Sequence, residues 1–194
     1  MHDTIIQAMD EGIRLRQQCR EVLAEPLMQA AQHMSEALKR GGKILACGNG
    51  GSAADAQHFA GELVNRFERD RPGLAAVALT HDASVITSIA NDYAFEDIFS
   101  RQVQALGRPG DVLLAISTSG NSRNVVAAAE MAAALGMGIV ALTGRDGGEL
   151  GRMAKIGVHL NIPHASTPRI QEMHITCLHL ICTLIDDTLY GDKP

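Results

Sequence analysis

The sequence predicts an α/β fold: a doubly wound, five-stranded parallel sheet with N-terminal helices before it and a long C-terminal helix after it. Three observations predict it. Short apolar runs recur at residues 43–47, 75–79, 111–117, 137–142 and 156–162. Stretches with helical character separate them, so each strand returns to the sheet through a crossover helix. Residue-poor turns rich in glycine and serine follow the first and third runs, at the carboxyl ends of strands, where ligands bind in such sheets.

The elements follow in order. Ile5, Met9, Ile13 and Leu15 punctuate a first N-terminal helix, and Leu27, Ala30, Met34 and Leu38 a second. Pro26 stands near the start of that second helix and Gly41-Gly42 ends it. Helices are then expected over 53–67, 84–90, 96–106, 121–135 and 148–153. The last element, 168–189, is a long apolar-rich helix. Strands that alternate with helices and read as unbroken apolar runs belong to a sheet covered on both faces.

Composition narrows the function. The chain has 194 residues, enough for one domain with a real core. Its net charge of -5 argues against the basic face that broad nucleic-acid binding needs. Cys19, Cys47, Cys177 and Cys182 form no C-x-x-C pair, so a zinc knuckle or redox motif is not indicated, and a reduced, cytosolic setting is expected. Packing is their default role. Residues 1–16 are polar and mixed in charge, without the apolar core of a signal peptide. No apolar run reaches the roughly 18 residues of a membrane span.

Two loops carry matching chemistry. Gly48-Asn49-Gly50-Gly51-Ser52 joins the first strand to a helix. Glycine lets backbone approach a ligand closely, and free N–H groups at the helix start suit an anion. A plain tight turn capped by Ser52 is the simpler reading, and the context favours the ligand. Ser117-Thr118-Ser119-Gly120-Asn121-Ser122 follows the third strand. Its four hydroxyls exceed what a helix N-cap needs and suit the oxygens of a phosphate. Neither loop matches Walker A or a full G-x-G-x-x-G, so a small phosphorylated metabolite is a better fit than a nucleotide.

His58 and Glu62 stand four apart on one helix face, a spacing open to a metal, to acid–base work or to a solvated pair, the commonest case. Gln171 and His179 lie about 12 Å and about 80° apart along the terminal helix. They can flank one site, although a core histidine is the plainer reading of His179. Asn91-Asp92 closes a helix and reads as a turn signal.

Order and spacing add what the single motifs lack. Gly48-Asn49-Gly50-Gly51-Ser52, Asp55-Ala56-Gln57-His58-Phe59, Glu62-Leu63, Asn91-Asp92, Gly110-Asp111-Val112-Leu113-Leu114, Ile116-Ser117-Thr118-Ser119-Gly120-Asn121-Ser122, Ala141-Leu142-Thr143-Gly144, Arg169-Ile170-Gln171-Glu172 and His179 follow one another along nearly the whole chain. In this the chain resembles the phosphoheptose isomerases, a family of the sugar-isomerase (SIS) fold, a flavodoxin-like arrangement. The resemblance implies a single SIS domain over 1–194, with 1–40 as a helical oligomerisation segment and 41–194 as the α/β core. It implies a homotetramer with active sites between subunits. The implied reaction converts sedoheptulose 7-phosphate to D-glycero-D-manno-heptose 7-phosphate, opening the route to ADP-heptose and the lipopolysaccharide inner core. By the same resemblance, zinc is held by His58, Glu62, Gln171 and His179. Substrate contacts fall on Asn49, Gly50, Gly51, Glu62, Asn91, Asp92, Ser117, Thr118, Ser119, Ser122 and Gln171. Glu62 is the expected base and His179 the partner acid.

A second resemblance competes. An SIS protein that binds the bacterial replication initiator and promotes chromosome initiation is similar at Asn65-Arg66-Phe67-Glu68, at Ala141-Leu142-Thr143-Gly144 and at Asp186. Gly51, Asp55, Glu62 and Ser119 fit the enzyme pattern instead. A sugar-phosphate-sensing SIS domain of a regulator ranks lower, since this chain has no room for a DNA-binding partner domain.

Overall fold

The computed structural model describes residues 1–191. Its strands are β1 (Ile44–Cys47), β2 (Ala76–Ala78), β3 (Val112–Ser117), β4 (Gly138–Gly144) and β5 (Val158–Ile162). Its helices are α1 (His2–Lys39), α2 (Gly51–Val64), α3 (Ala83–Asp92), α4 (Ser100–Leu106), α5 (Arg123–Ala134), α6 (Gly148–Arg152) and α7 (Thr167–Tyr190). The strands form one parallel sheet in the order β2-β1-β3-β4-β5, as the alternating pattern predicts.

The central strands are buried on both faces because their residues are almost all apolar, whereas the edge strand β5 alternates, with His159 and Asn161 half-buried. Every residue of β1 and β3 is buried. Successive side chains alternate between two layers. Ile44 and Ala46, with Val112, Leu114 and Ile116, pack toward α1, α2 and α7. Leu45, Cys47, Leu113 and Ala115 pack toward α4 and α5. On α7, Ile170, Met173, Cys177, Leu178, Ile181 and Ile185 recur at helical spacing and seal the first layer.

The N-terminal region corrects an expectation: instead of two N-terminal helices there is one, the 38-residue α1, with Pro26 inside it. Proline removes one helical hydrogen bond and crowds the preceding turn. Here the packing outweighs that cost. Leu15, Cys19, Leu23, Leu27, Ala30 and Met34 form a continuous buried stripe that runs through the proline, while Pro26 itself lies beside the stripe, half-buried. Breaking the helix would uncover one half of the stripe. Gly41 ends α1 as expected, at φ 78°.

A second difference lies at 96–106. A 3-10 turn, Phe95–Asp97, precedes the shorter α4. Ile98 and Phe99 are both 2% exposed, and a break in the helix lets two adjacent side chains enter one core.

Strand order reverses direction between β1 and β3, the switch point where such sheets open a crevice at their carboxyl ends. The two turns rich in glycine and serine leave the sheet at that point. Among the described residues, no helix is long and apolar enough to cross a membrane.

Candidate active site

The chain leaves β1 through Gly48 and Asn49, and Gly50, at φ 55°, sits at the N-cap of α2. The next position must be small for a different reason. A Cβ on Gly51 would run into the Gln171 amide. Glycine therefore lets Gln171, from α7, lie directly on the first loop.

The two loops are joined by a side-chain pair. Asn49 Nδ2 donates to Asn124 Oδ1 at 2.8 Å and Asn124 Nδ2 donates back to Asn49 Oδ1 at 2.9 Å. Asn124, in the first turn of α5, is 3% exposed. Sequence reasoning missed it. The available signal was a second polar residue just inside the helix that follows the serine loop.

In that loop the hydroxyls are partly committed. Ser117 Oγ and Ser122 Oγ are 2.9 Å apart and share a hydrogen bond. Ser119 Oγ accepts from the Asn121 N–H at 3.1 Å. Gly120 has φ 66°, and a Cβ there would collide with the backbone of Gly147, so the loop can close down on α6 only with glycine. Thr118 is half-buried at the loop's centre. Asn91 and Asp92 are the exposed last residues of α3 and hydrogen-bond to each other at 2.8 Å. Among the described residues, no side-chain hydrogen bond joins them to either loop.

The structure brings His58, Glu62 and His179 together. His58 Nε2 and His179 Nε2 are 2.8 Å apart, although the residues are 121 positions apart. One nitrogen donates and the other accepts. Glu62 Oε1 lies 3.4 Å from the same His58 nitrogen. Phe67 backs the His179 ring, with centroids 5.6 Å apart. The plain reading of His179 as a core histidine does not hold. It is half-buried and meets His58 of a second helix, which in turn lies beside the Glu62 carboxylate.

Asp55, one turn before His58, also belongs here. Burial pushes its carboxyl up to about 6, and the neighbouring His58 pulls the other way. Its Oδ2 is buried without a hydrogen-bond partner. Its spacing from His58 was legible, but no spacing rule distinguishes a half-buried carboxyl from a solvated one.

The donor kinds of the cluster, two imidazoles and a carboxylate, with the Gln171 amide against Gly51 at the start of the same helix, suit zinc. Their arrangement is that of a hydrogen-bonded cluster: among the described residues, no group of three or more His, Cys, Asp or Glu side chains is set to hold a metal ion.

Two glycine and serine loops joined by the Asn49–Asn124 pair at the switch point of the sheet, with a His–His–Glu cluster on the helices that adjoin them, are the features of a sugar-phosphate class of site. Residues 9–144 match the family described as SIS domain, and the chain belongs to that family. The phosphoheptose isomerase of Methylibium petroleiphilum is 56% identical over 92% of this chain and 90% of its own length. The structure of phosphoheptose isomerase from Neisseria gonorrhoeae superposes with a TM-score of 0.91 at 51% identity, covering 96% of this chain and 98% of that one. That from Francisella tularensis gives 0.91 at 41%, covering 95% and 97%. Within the SIS family the chain thus belongs with the phosphoheptose isomerases, and it is an isomerase. Relatives this similar do not favour the initiator-binding reading.

Proposed function

We propose that the protein converts sedoheptulose 7-phosphate to D-glycero-D-manno-heptose 7-phosphate, the step that opens ADP-heptose and lipopolysaccharide inner-core synthesis. The observation that carries the chemistry is that Glu62 and His179, from two different helices, both reach the His58 Nε2, on the helix that starts at the loop Gln171 covers.

The reaction moves a proton between C1 and C2 of the open-chain sugar. Glu62 takes the C1 proton as His179 gives one to the C2 oxygen, leaving a neutral enediol. Glu62 then returns a proton to C2 while His179 removes one from the C1 hydroxyl, and the C1 aldehyde forms. Protons balance over the two steps and both residues end as they began. Asn49, Gly50, Gly51, Ser117, Thr118, Ser119 and Ser122 line the two loops that hold the phosphate and fix the reacting carbons. Asn91 and Asp92 serve as substrate contacts at the rim.

Zinc fits the donor kinds of His58, Glu62, Gln171 and His179, and when bound it would polarise the sugar's carbonyl oxygen. A metal-bound carboxylate is a weaker base, so the ligand and base roles compete for Glu62. Turnover that rises with added zinc favours the first role, and turnover indifferent to chelation the second.

The same reading takes the protein as a cytoplasmic homotetramer. Four buried, unpaired cysteines support a reducing compartment. Ile5, Ile6, Met9 and Ile13 expose their apolar side chains along the start of α1, a patch that suits burial against other copies.

Turnover of sedoheptulose 7-phosphate by the purified protein, followed by NMR with Glu62→Gln alongside, tests the proposal. No conversion by the wild type, with or without zinc, overturns it.

A further inference from the structure

The chain between α2 and β2 holds a buried charge that the mechanism does not use. The Arg71 side chain is 1% exposed and its Nε donates to Asp186 Oδ1 at 2.7 Å. Asp186 is 4% exposed, and its other oxygen has no hydrogen-bond partner. For stability alone this is a poor arrangement. Two charges leave water, one carboxylate oxygen stays unsatisfied, and a packed apolar pair would serve as well or better.

The remaining donors show what an apolar pair could not do. Arg71 Nη2 donates to the Glu62 carbonyl at 2.9 Å, and Nη1 donates to the Leu63 carbonyl at 2.7 Å. Helix α2 stops at Val64, so these two carbonyls belong to its last turn, which has no helical donors to meet; the Leu63 carbonyl also accepts from the Leu74 N–H at 2.9 Å, whereas the Glu62 carbonyl takes its bond from Arg71. Arg71 therefore caps the helix that carries His58 and Glu62. Through Asp186 it ties that cap to α7, the helix that carries Gln171 and His179. One guanidinium bridges the two elements whose relative position sets the Glu62–His179 geometry.

We propose that Arg71, seated on Asp186, is a positioning residue for the isomerisation: it holds the backbone of Glu62 in register with α7. This rests on the reading of Glu62 as base. An outer ion pair, Arg69 with Asp187 at 3.1 Å, crosses the same junction without touching Glu62, and it serves as the internal control.

The test uses the full-length protein and sedoheptulose 7-phosphate. In Arg71→Leu/Asp186→Leu no buried charge is left unpaired, and the lost bonds to the Glu62 and Leu63 carbonyls lower the melting temperature by a few degrees while the protein stays folded. Its kcat falls about 100-fold, the scale of a displacement near 1 Å at the reacting groups, while KM changes less than about twofold. Arg71→Lys keeps the charge on Asp186 but lacks the planar fork that reaches both carbonyls; kcat falls about tenfold at wild-type KM. Asp187→Asn leaves both constants unchanged. Wild-type kcat in the folded double variant or in Arg71→Lys overturns the proposal. So does an equal loss of kcat in Asp187→Asn, which would mean that any loosening of the junction suffices. Glu62→Gln run in parallel separates the two claims. If it is inactive while the double variant is fully active, only the positioning role falls. If it retains wild-type kcat, the base assignment falls and the positioning role with it.

Discussion

The two halves of the site are built on different principles. The phosphate half is local: each loop is one uninterrupted stretch between a buried strand and the next helix, and its groups are mainly backbone and short hydroxyls. The chemical half is long-range: His58 and Glu62 come from α2, His179 from α7, and the 2.8 Å contact between the imidazoles spans 121 positions. The difference separates two jobs. Under the proposed function, a loop of fixed local geometry binds and a pair of helices held in register does the chemistry. Changes in the first half should therefore move KM, and changes in the second should move kcat.

The largest effect is expected at Glu62. Glu62→Gln keeps the size of the side chain and removes its basicity, so kcat should fall by about 10² to 10⁴ with KM close to wild type. Steady-state NMR or coupled assays read both constants, and a variant that loses affinity but not turnover would break the division. Gly51→Ala lies on the seam between the halves. Its Cβ would displace the Gln171 amide from the loop, so both constants should suffer, with kcat/KM down about 30-fold, or about 2 kcal/mol. An unchanged kcat/KM would mean that Gln171 has room to move and that the seam is not shared.

This division also explains what was legible in the sequence. The five strands and the two loops were readable because each signal lies within a dozen residues: an apolar run, then glycine or serine, then a helix. The His–Glu spacing was readable as a face but not as a site, because nothing local says that α7 will cross it. His179 among Leu178, Leu180 and Ile181 reads as core until the second helix is placed. Only the resemblance of the whole chain joined them. Arg71 and Asn124 escaped for the same reason, since each gains its meaning from a partner more than 70 positions away. Pro26 misled in the opposite direction: a strong local signal lost to a stripe of buried side chains that only the tertiary packing makes continuous.

Asn124 sharpens the binding side of the comparison. Asn124→Ala leaves the Asn49 amide without its reciprocal partner, a cost of about 1 to 2 kcal/mol in stability read by urea unfolding. The first loop then loses its tie to the second, and KM should rise about fivefold at nearly constant kcat. The opposite pattern, a falling kcat at constant KM, would place Asn124 with the helices rather than with the loops.

The smallest effect on turnover is expected at His174, which lies on α7 between Gln171 and His179, about 140° round the helix from His179, and is buried against the sheet. It is fully buried, its Nε2 donates to the Thr143 carbonyl at 2.9 Å, and its Nδ1 has no hydrogen-bond partner. Burial pushes its pKa down from 6.5 to about 4, partly offset by the Thr143 bond. The folded protein thus holds His174 neutral in a range where the unfolded chain binds a proton. Stability is full above about pH 6.5 and is lost as pH falls toward 4, by about 2 to 3 kcal/mol from this group. Asp55 acts in the opposite sense, because its raised pKa adds stability as pH falls below about 6. The difference between wild type and His174→Gln cancels Asp55, which both proteins share, and leaves the histidine. Glutamine keeps an amide donor for Thr143 and cannot titrate, so its unfolding free energy should fall less steeply between pH 6.5 and 4, with kcat at neutral pH near wild type. Parallel slopes for the two proteins would show that His174 takes up its proton without unfolding, and a large loss of kcat would extend the catalytic half of the site through α7 to the sheet itself.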